Sequence, residues 1–251
     1  MTSLLLHGII RADAPGPPAG TLGHLRITAG ELAGLARPVA AHALSAEGAS
    51  PMAEVEAHHD LLSAYAVSSD LVPVRFGTAF SGQRAIVDML RSEVDTHLAR
   101  LARVASCVEY TLKLSRIPDR PRQAVAPGQE NGRAFLKQKQ KVRDAQRSLA
   151  KRRTDFVSEV LNQATDAVQN SVMVPSPSAQ IIAASALLVA RKTAPDLLDV
   201  LRHLSVHASA CGVAVALQGP GPCYSFADDD LHRDVSVAAY DSDRGKTLEN
   251  A

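Results

Sequence analysis

The chain has 251 residues, with 27 Lys and Arg against 26 Asp and Glu, a formal net charge of +1. Hydrophobic residues make up 46%, which excludes general disorder, and the near-zero charge excludes a global field that would gather DNA or acidic lipid. Forty-one alanines, no Trp and 4% aromatics point to an aliphatic core and speak against a base-stacking platform for single-stranded nucleic acid.

Ser3 to Arg11 (SLLLHGIIR) reads as a buried strand that runs into the loop Asp13-Ala-Pro-Gly-Pro-Pro. His24 to Thr28 alternates like a half-buried strand, and Leu35 to Leu44 gives another that Pro38 demotes to an edge or a short piece. Ser50-Pro51 opens a helix with Met52, Val55, His59, Leu62 and Ala66 on one face, ending near Ser68-Ser69-Asp70. Leu71 to Phe76 is a short apolar segment around Pro73. Ser81 caps a second helix that carries Ile86, Leu90, Val94, Leu98 and Leu101 on one face. Cys107 to Ser115 alternates cleanly as a strand, and Ile117 to Gly132 is a long Pro- and Gly-containing loop.

A helix of unusual length then spans roughly Gly132 to Gln169, with Phe135, Val142, Leu149 and Phe156 seven residues apart on one face. Unbroken, it would reach about 55 Å, against about 30 Å for a small domain, so it either bends near Arg153-Thr154 or projects. Val172 to Val174 is a short apolar piece. Gln180 to Arg191 is a buried strand. Thr193 caps a helix carrying Leu197, Leu201, Leu204 and Ala208, which Gly212 stops, and Val213 to Leu217 is the last strand. An acidic tail follows Phe226. The second half thus has the order β-α-β-β-α-β, the split βαβ arrangement of a ferredoxin-like sandwich. The fold class expected is α+β in two domains: residues 1–105, an N-terminal α+β domain, and 106–226, a C-terminal ferredoxin-like domain with a long basic helix, followed by an acidic tail at 227–251.

Motifs with chemistry are sparse. His58-His59-Asp60 suggests a metal cluster, but adjacent helix residues point about 100° apart and no HExxH accompanies them, so they read as ordinary helix residues. Cys107, Cys211 and Cys223 form no CxxC pair and have no sequence-placed histidine. They read as reduced thiols in a cytoplasm rather than as nucleophiles. Gly219-Pro-Gly-Pro places prolines where phosphate-binding N–H groups would be needed. No catalytic residue, metal ligand or cofactor is expected. The apolar start lacks a basic region before it and a cleavage site after it, and it is too short to span a bilayer.

Two features stand out. Arg133 to Arg153 holds nine basic residues, among them Lys137, Lys141 and Lys151, against Asp144 alone, a net +8. It reads as a solvated face, a dock for an acidic partner protein, or a nucleic-acid-binding element. No interleaved aromatics or RNP-like motif supports the last. In VPVRFGT (72–78), Phe76 is one of few aromatics, beside a charge and a glycine. Arg75 is either tied to a nearby carboxylate or, with Phe76, a partner contact.

HGIIRAD near the start, VPVRFGT after an amphipathic helix and GPGPCYSF near the end, in that order from about His7 to Phe226, together resemble the gas vesicle GvpF/GvpL family. The family's opening string usually has Tyr where this chain has His7, and its closing string usually has a bulky aromatic and prolines before Tyr224-Ser225-Phe226. The basic 129–153 stretch has no match in the family pattern. The resemblance implies a two-domain α+β, non-enzymatic accessory protein of gas vesicle assembly. As a minor vesicle component in the cytoplasm, it would bind the hydrophobic shell protein GvpA, limit its aggregation and support nucleation, with other accessory gas vesicle proteins as further partners. A nucleic-acid-binding ferredoxin-like module using helix 133–153 is the alternative.

Overall fold

The computed structural model describes residues 3–16, 23–39, 51–118, 132–175 and 178–227. The end of the third predicted strand (residues 40–44), most of the 117–132 loop and the acidic tail lie outside the described residues.

Ser3–Arg11 (β1), Leu25–Ala29 (β2), Leu32–Val39 (β3) and Leu71–Pro73 (β4) build an antiparallel sheet in the order β2-β3-β1-β4, with Ala79–Phe80 (β5) also paired to β1. β1 is central and covered on both faces, which is why its sequence is a nearly unbroken apolar run rather than an alternation. β3 is an inner strand, not the edge that Pro38 suggested. Pairing with β2 stops at Ala36, so Pro38 has no ladder partner on that side to deprive of a donor.

Pro51–Ala66 (α1) packs over this sheet through His58, Leu61, Leu62, Tyr65 and Ala66. Leu62 and Ala66 of the predicted face are buried, but Met52, 64% exposed, Val55 and His59 are exposed. The predicted second helix is two, Gln83–Ser92 (α2) and Val94–Arg103 (α3), broken at Glu93. Gly82 rather than Ser81 holds the N-cap position, with no side-chain cap. Ile86, Leu90 and Leu101 are buried as the spacing predicts, joined by His97.

Cys107–Arg116 (β6), Asn170–Met173 (β7), Ile181–Ala190 (β8) and Val213–Gly221 (β9) form a second antiparallel sheet in the order β7-β8-β6-β9. Gly132–Asp166 (α4) and Ala194–Ala208 (α5) supply the helices, so the elements run β-α-β-β-α-β. One face carries Val108, Tyr110, Leu112, Leu114, Leu187 and Val189, packed on Phe156, Val160 and Ala164 of α4 and Leu197, Leu201 and Leu204 of α5. The alternate residues Cys107, Ala186, Leu188 and Ala190 meet Val104, Cys223 and Phe226 on the other face. Thr193 sits at the N-cap position of α5 without capping it; its hydroxyl donates back to the Ala190 carbonyl.

α4 is unbroken over 35 residues, about 52 Å at 1.5 Å per residue. Only its last third enters the core. From Arg133 to Arg152 the described side chains are exposed apart from the half-buried Val142 and Leu149, and Phe135 is 58% exposed. Of the four residues seven apart, Phe156 alone is buried in the sandwich.

A guanidinium joins the two sheets' surroundings. Arg191, just past β8, donates to the Ala66 carbonyl (3.0 Å), the Ser69 carbonyl (2.6 Å) and Asp70 (2.9 Å). Asp70 also accepts the Ser106 N–H at 2.7 Å. The last carbonyl of α1, Ala66, and the Ser69 carbonyl of the turn that follows are thereby met by a fixed cation.

Candidate functional site

The three strings singled out in the sequence meet around α1. The first is set by a β-bulge. β1 pairs Leu6 with Ala36 and Gly8 with Leu35, so His7 between them has no partner residue on β3. A bulge re-aims the side chain it carries. The His7 ring is 2% exposed and lies against His58 of α1, with Nδ1 to Nδ1 at 2.8 Å. Only one of these nitrogens can carry the shared proton. Burial first, then His58 and the nearby Arg37, hold the His7 pKa down at about 4. His58 is lowered by burial and by His59. Arg37 is itself ion-paired to Glu54, which fixes β3 to α1.

The second string lies beside the first. β4 and β5 pair with β1 on the same edge, Gly8 opposite Pro73 and Leu5 opposite Ala79. Leu6 and His7 of β1 thus face the whole of 74–78 on the outer chain. The surplus is lifted out as Arg75-Phe76-Gly77, pinned at its base by Val74 N–H to the His7 carbonyl and Leu6 N–H to the Thr78 carbonyl, 2.8 and 2.9 Å. Gly77 takes φ 88, a conformation only glycine adopts without strain. Phe76 stands edge-on to the His58 ring at 5.5 Å, yet remains 40% exposed. Arg75 is exposed at the apex, and no carboxylate of the described residues lies within ion-pair distance of it. Among the described residues, the tie to a nearby carboxylate that the sequence allowed is not there.

The third string sits on the far side of α1. His59, about 100° round the helix from His58, stacks on Tyr224 at 6.2 Å and 17°. Beside this stack, Glu109 accepts the Ser225 N–H (2.8 Å) and hydroxyl (2.9 Å), one on each carboxylate oxygen. Burial raises the Glu109 pKa against these two hydrogen bonds. Gly219 has φ 126, and a Cβ there would stand 2.8 Å from the Glu109 carbonyl. A cleft of about 580 Å³ opens here, lined by His59, Glu109, Thr111, Gln218 and Tyr224. Tyr224 is pushed up to about 12, by burial first and then by Glu109.

The cysteines are free. Burial raises the thiol pKa of both Cys107 and Cys223, the reverse of what a nucleophile needs. Arg75 and Phe76 form an exposed apex, and the first two thirds of α4 form an exposed cationic length. Lys137, Lys141 and Lys151 are all exposed and lie within about 80° of one another around α4. Arg75 and Phe76 belong to the edge of the first sheet and the three lysines to a helix of the second, so they form two surfaces. The sequence reading missed His7 and His58 as a pair. A histidine inside an apolar strand was the one available signal.

The sequence profile of the family described as "Gas vesicle synthesis protein GvpL/GvpF" matches residues 4–228. Two crystal structures share the fold. The gas vesicle protein GvpF from Microcystis aeruginosa is 16% identical with a TM-score of 0.66, over 91% of this chain and 100% of that one. GvpF from Anabaena sp. PCC7120 is 13% identical with a TM-score of 0.67, over 91% and 97%. No curated protein matches the sequence.

Proposed function

Because the chain belongs to the GvpL/GvpF gas vesicle synthesis family, we propose that it is a non-enzymatic accessory protein of gas vesicle assembly. It binds the hydrophobic shell protein GvpA, holds it from aggregating and supports nucleation as a minor vesicle component in the cytoplasm. Subunits awaiting polymerisation expose apolar faces and strand edges, and a stoichiometric binder removes that hazard. The observation that carries the reading is the Arg75-Phe76 apex, an exposed arginine and aromatic held out from a sheet edge by a motif of the family. Lys137, Lys141 and Lys151 supply a second, electrostatic contact for GvpA or for another accessory gas vesicle protein.

The domain division belongs to the same proposal: an N-terminal α+β domain over 1–105 and a C-terminal ferredoxin-like domain over 106–226. The β-α-β-β-α-β order and the β7-β8-β6-β9 strand order support it. No described helix is long and apolar enough to cross a membrane.

The test is co-purification of the full chain with GvpA from a vesicle-producing cell, with deletion of its gene as the second arm. A stoichiometric complex and loss of vesicles are expected. Normal vesicles without the protein, or affinity for RNA that falls steeply with salt and none for GvpA, would overturn it.

A further inference from the structure

α4 is 35 residues long, but the second sheet's core holds it only from Phe156 onward. Between Arg133 and Arg152 the described side chains are exposed, with Val142 and Leu149 half-buried. Phe135 is 58% and Leu136 65% exposed. A helix in a protein draws most of its stability from packing an apolar face, and this length packs none among the described residues.

The charge pattern weakens it further. Arg133/Lys137, Lys137/Lys141, Lys139/Arg143, Arg143/Arg147 and Arg147/Lys151 are like pairs four residues apart. Asp144 has no base at that spacing on either side. Residues four apart are neighbours on a helix surface, so each like pair destabilises it. Carboxylates brought from outside reverse that sign.

A seam runs between the charges. Phe135, Val142 and Leu149 recur every seven residues, with Gln138 and Ala145 between them, all within about 80° of helix surface. Lys139 borders this seam on one side and Lys141 on the other. Those flanking positions choose the partner in a coiled coil. A second copy of this chain does not fit. It would set two stretches of net +8 side by side, over a seam in which Gln138 and Ala145 supply little apolar surface.

We propose that α4 between Arg133 and Arg152 is the docking site for one acidic amphipathic helix of a partner protein, which packs along Phe135, Val142 and Leu149 and sets carboxylates against Lys139 and Lys141. The heptad spacing calls for a helix, and the unrelieved positive charge calls for an acidic one. The proposal rests on the reading of the chain as an assembly factor, and gives the second contact of that reading a partner of stated chemistry.

The probe is a synthetic peptide of about three heptads with Leu at the seam positions and Glu at the flanking ones, whose own glutamates oppose self-pairing at neutral pH. A peptide of the same composition in scrambled order is the control. Amide hydrogen exchange of the full chain is followed by mass spectrometry. In the free chain, 133–152 should exchange faster than 156–164, which the core holds. The heptad peptide should slow exchange at 133–152 by about tenfold or more, saturably and less at high salt, and the scrambled peptide should not. Val142→Asn with Leu149→Asn should weaken the heptad peptide about tenfold or more with no change in thermal midpoint. Arg147→Gln, on the opposite side of the helix from the seam, should change it by less than about threefold.

Protection of 133–152 in the free chain overturns the proposal, because the chain's own acidic tail or a second copy then already covers the helix. Equal binding of the two peptides, or binding unchanged by the Val142 and Leu149 substitutions, also overturns it: the surface then reads charge alone, as a nucleic-acid binder would. Absence of GvpA capture by the wild type defeats the assembly reading instead, and the peptide titration still decides the helix.

Discussion

His7 and His58, 51 residues apart in sequence, share one hydrogen bond between their Nδ1 atoms at 2.8 Å, buried between the central strand of the first sheet and α1. The pair holds together only while at least one ring is neutral. It also supports Phe76, whose ring stands edge-on to His58.

Acid should therefore loosen the fold. The folded pKa of His7 is about 4, below its ordinary 6.5, so the unfolded chain takes up the proton first as pH falls. The full contribution is present above about pH 6.5 and is lost between 6.5 and 4, on the order of 3 kcal/mol at the limit. Denaturant midpoints measured across that window should fall in the wild type and fall much less in His7→Phe. An identical acid limb in both would refute this account.

Arg191→Ala should cost about 2–4 kcal/mol, because it strips Asp70 of its cation and leaves the Ala66 and Ser69 carbonyls unmet. Arg191→Lys should recover only part, since one ammonium cannot reach three acceptors in a fork. Urea unfolding curves of the three proteins check the order.

Gly219→Ala should destabilise by about 2 kcal/mol or more. The residue has φ 126, and the new Cβ would meet the Glu109 carbonyl at 2.8 Å and Tyr110 at 2.9 Å. Gly30→Ala is the control: its φ is 64 but no atom lies within 4 Å, so about 1 kcal/mol is expected. Equal thermal shifts for the two would show that crowding at Glu109 contributes nothing.

Charge reversal of Lys137, Lys141 and Lys151 to Glu should leave stability within roughly 0.5 kcal/mol, because all three side chains are exposed. Partner capture and its salt dependence should both drop. Pull-down against a salt series, with a thermal melt alongside, separates the two effects. Unchanged capture would reject the electrostatic contact.

Periodicity located most elements because burial imposes it locally. The alternation of Val108, Tyr110, Leu112 and Leu114 and the spacing of Leu197, Leu201 and Leu204 appear in the core as read. Where two faces compete, the pattern misleads. Met52 and Val55 share a spacing with Leu62, yet α1 turns His58 and Leu61 inward instead, because the sheet beneath offers His7 as a partner. The helix break at Glu93 carries no Gly or Pro to announce it. Pro38 suggested an edge, yet β3 is inner and tolerates it, because pairing with the shorter β2 stops at Ala36.

What the linear chain decided alone was local: which stretches are strands or helices, the order β-α-β-β-α-β, the exposed cationic length of α4, and the three strings that mark the family. These depend on short-range sterics and on the hydrophobic period. Tertiary structure alone decided which residues meet: His7 with His58, Arg191 with the end of α1, Glu109 with Ser225, and Met89 with His97. Such contacts join residues from 8 to 125 positions apart. No local preference encodes them, because their energy appears only when packing has removed the water between the groups.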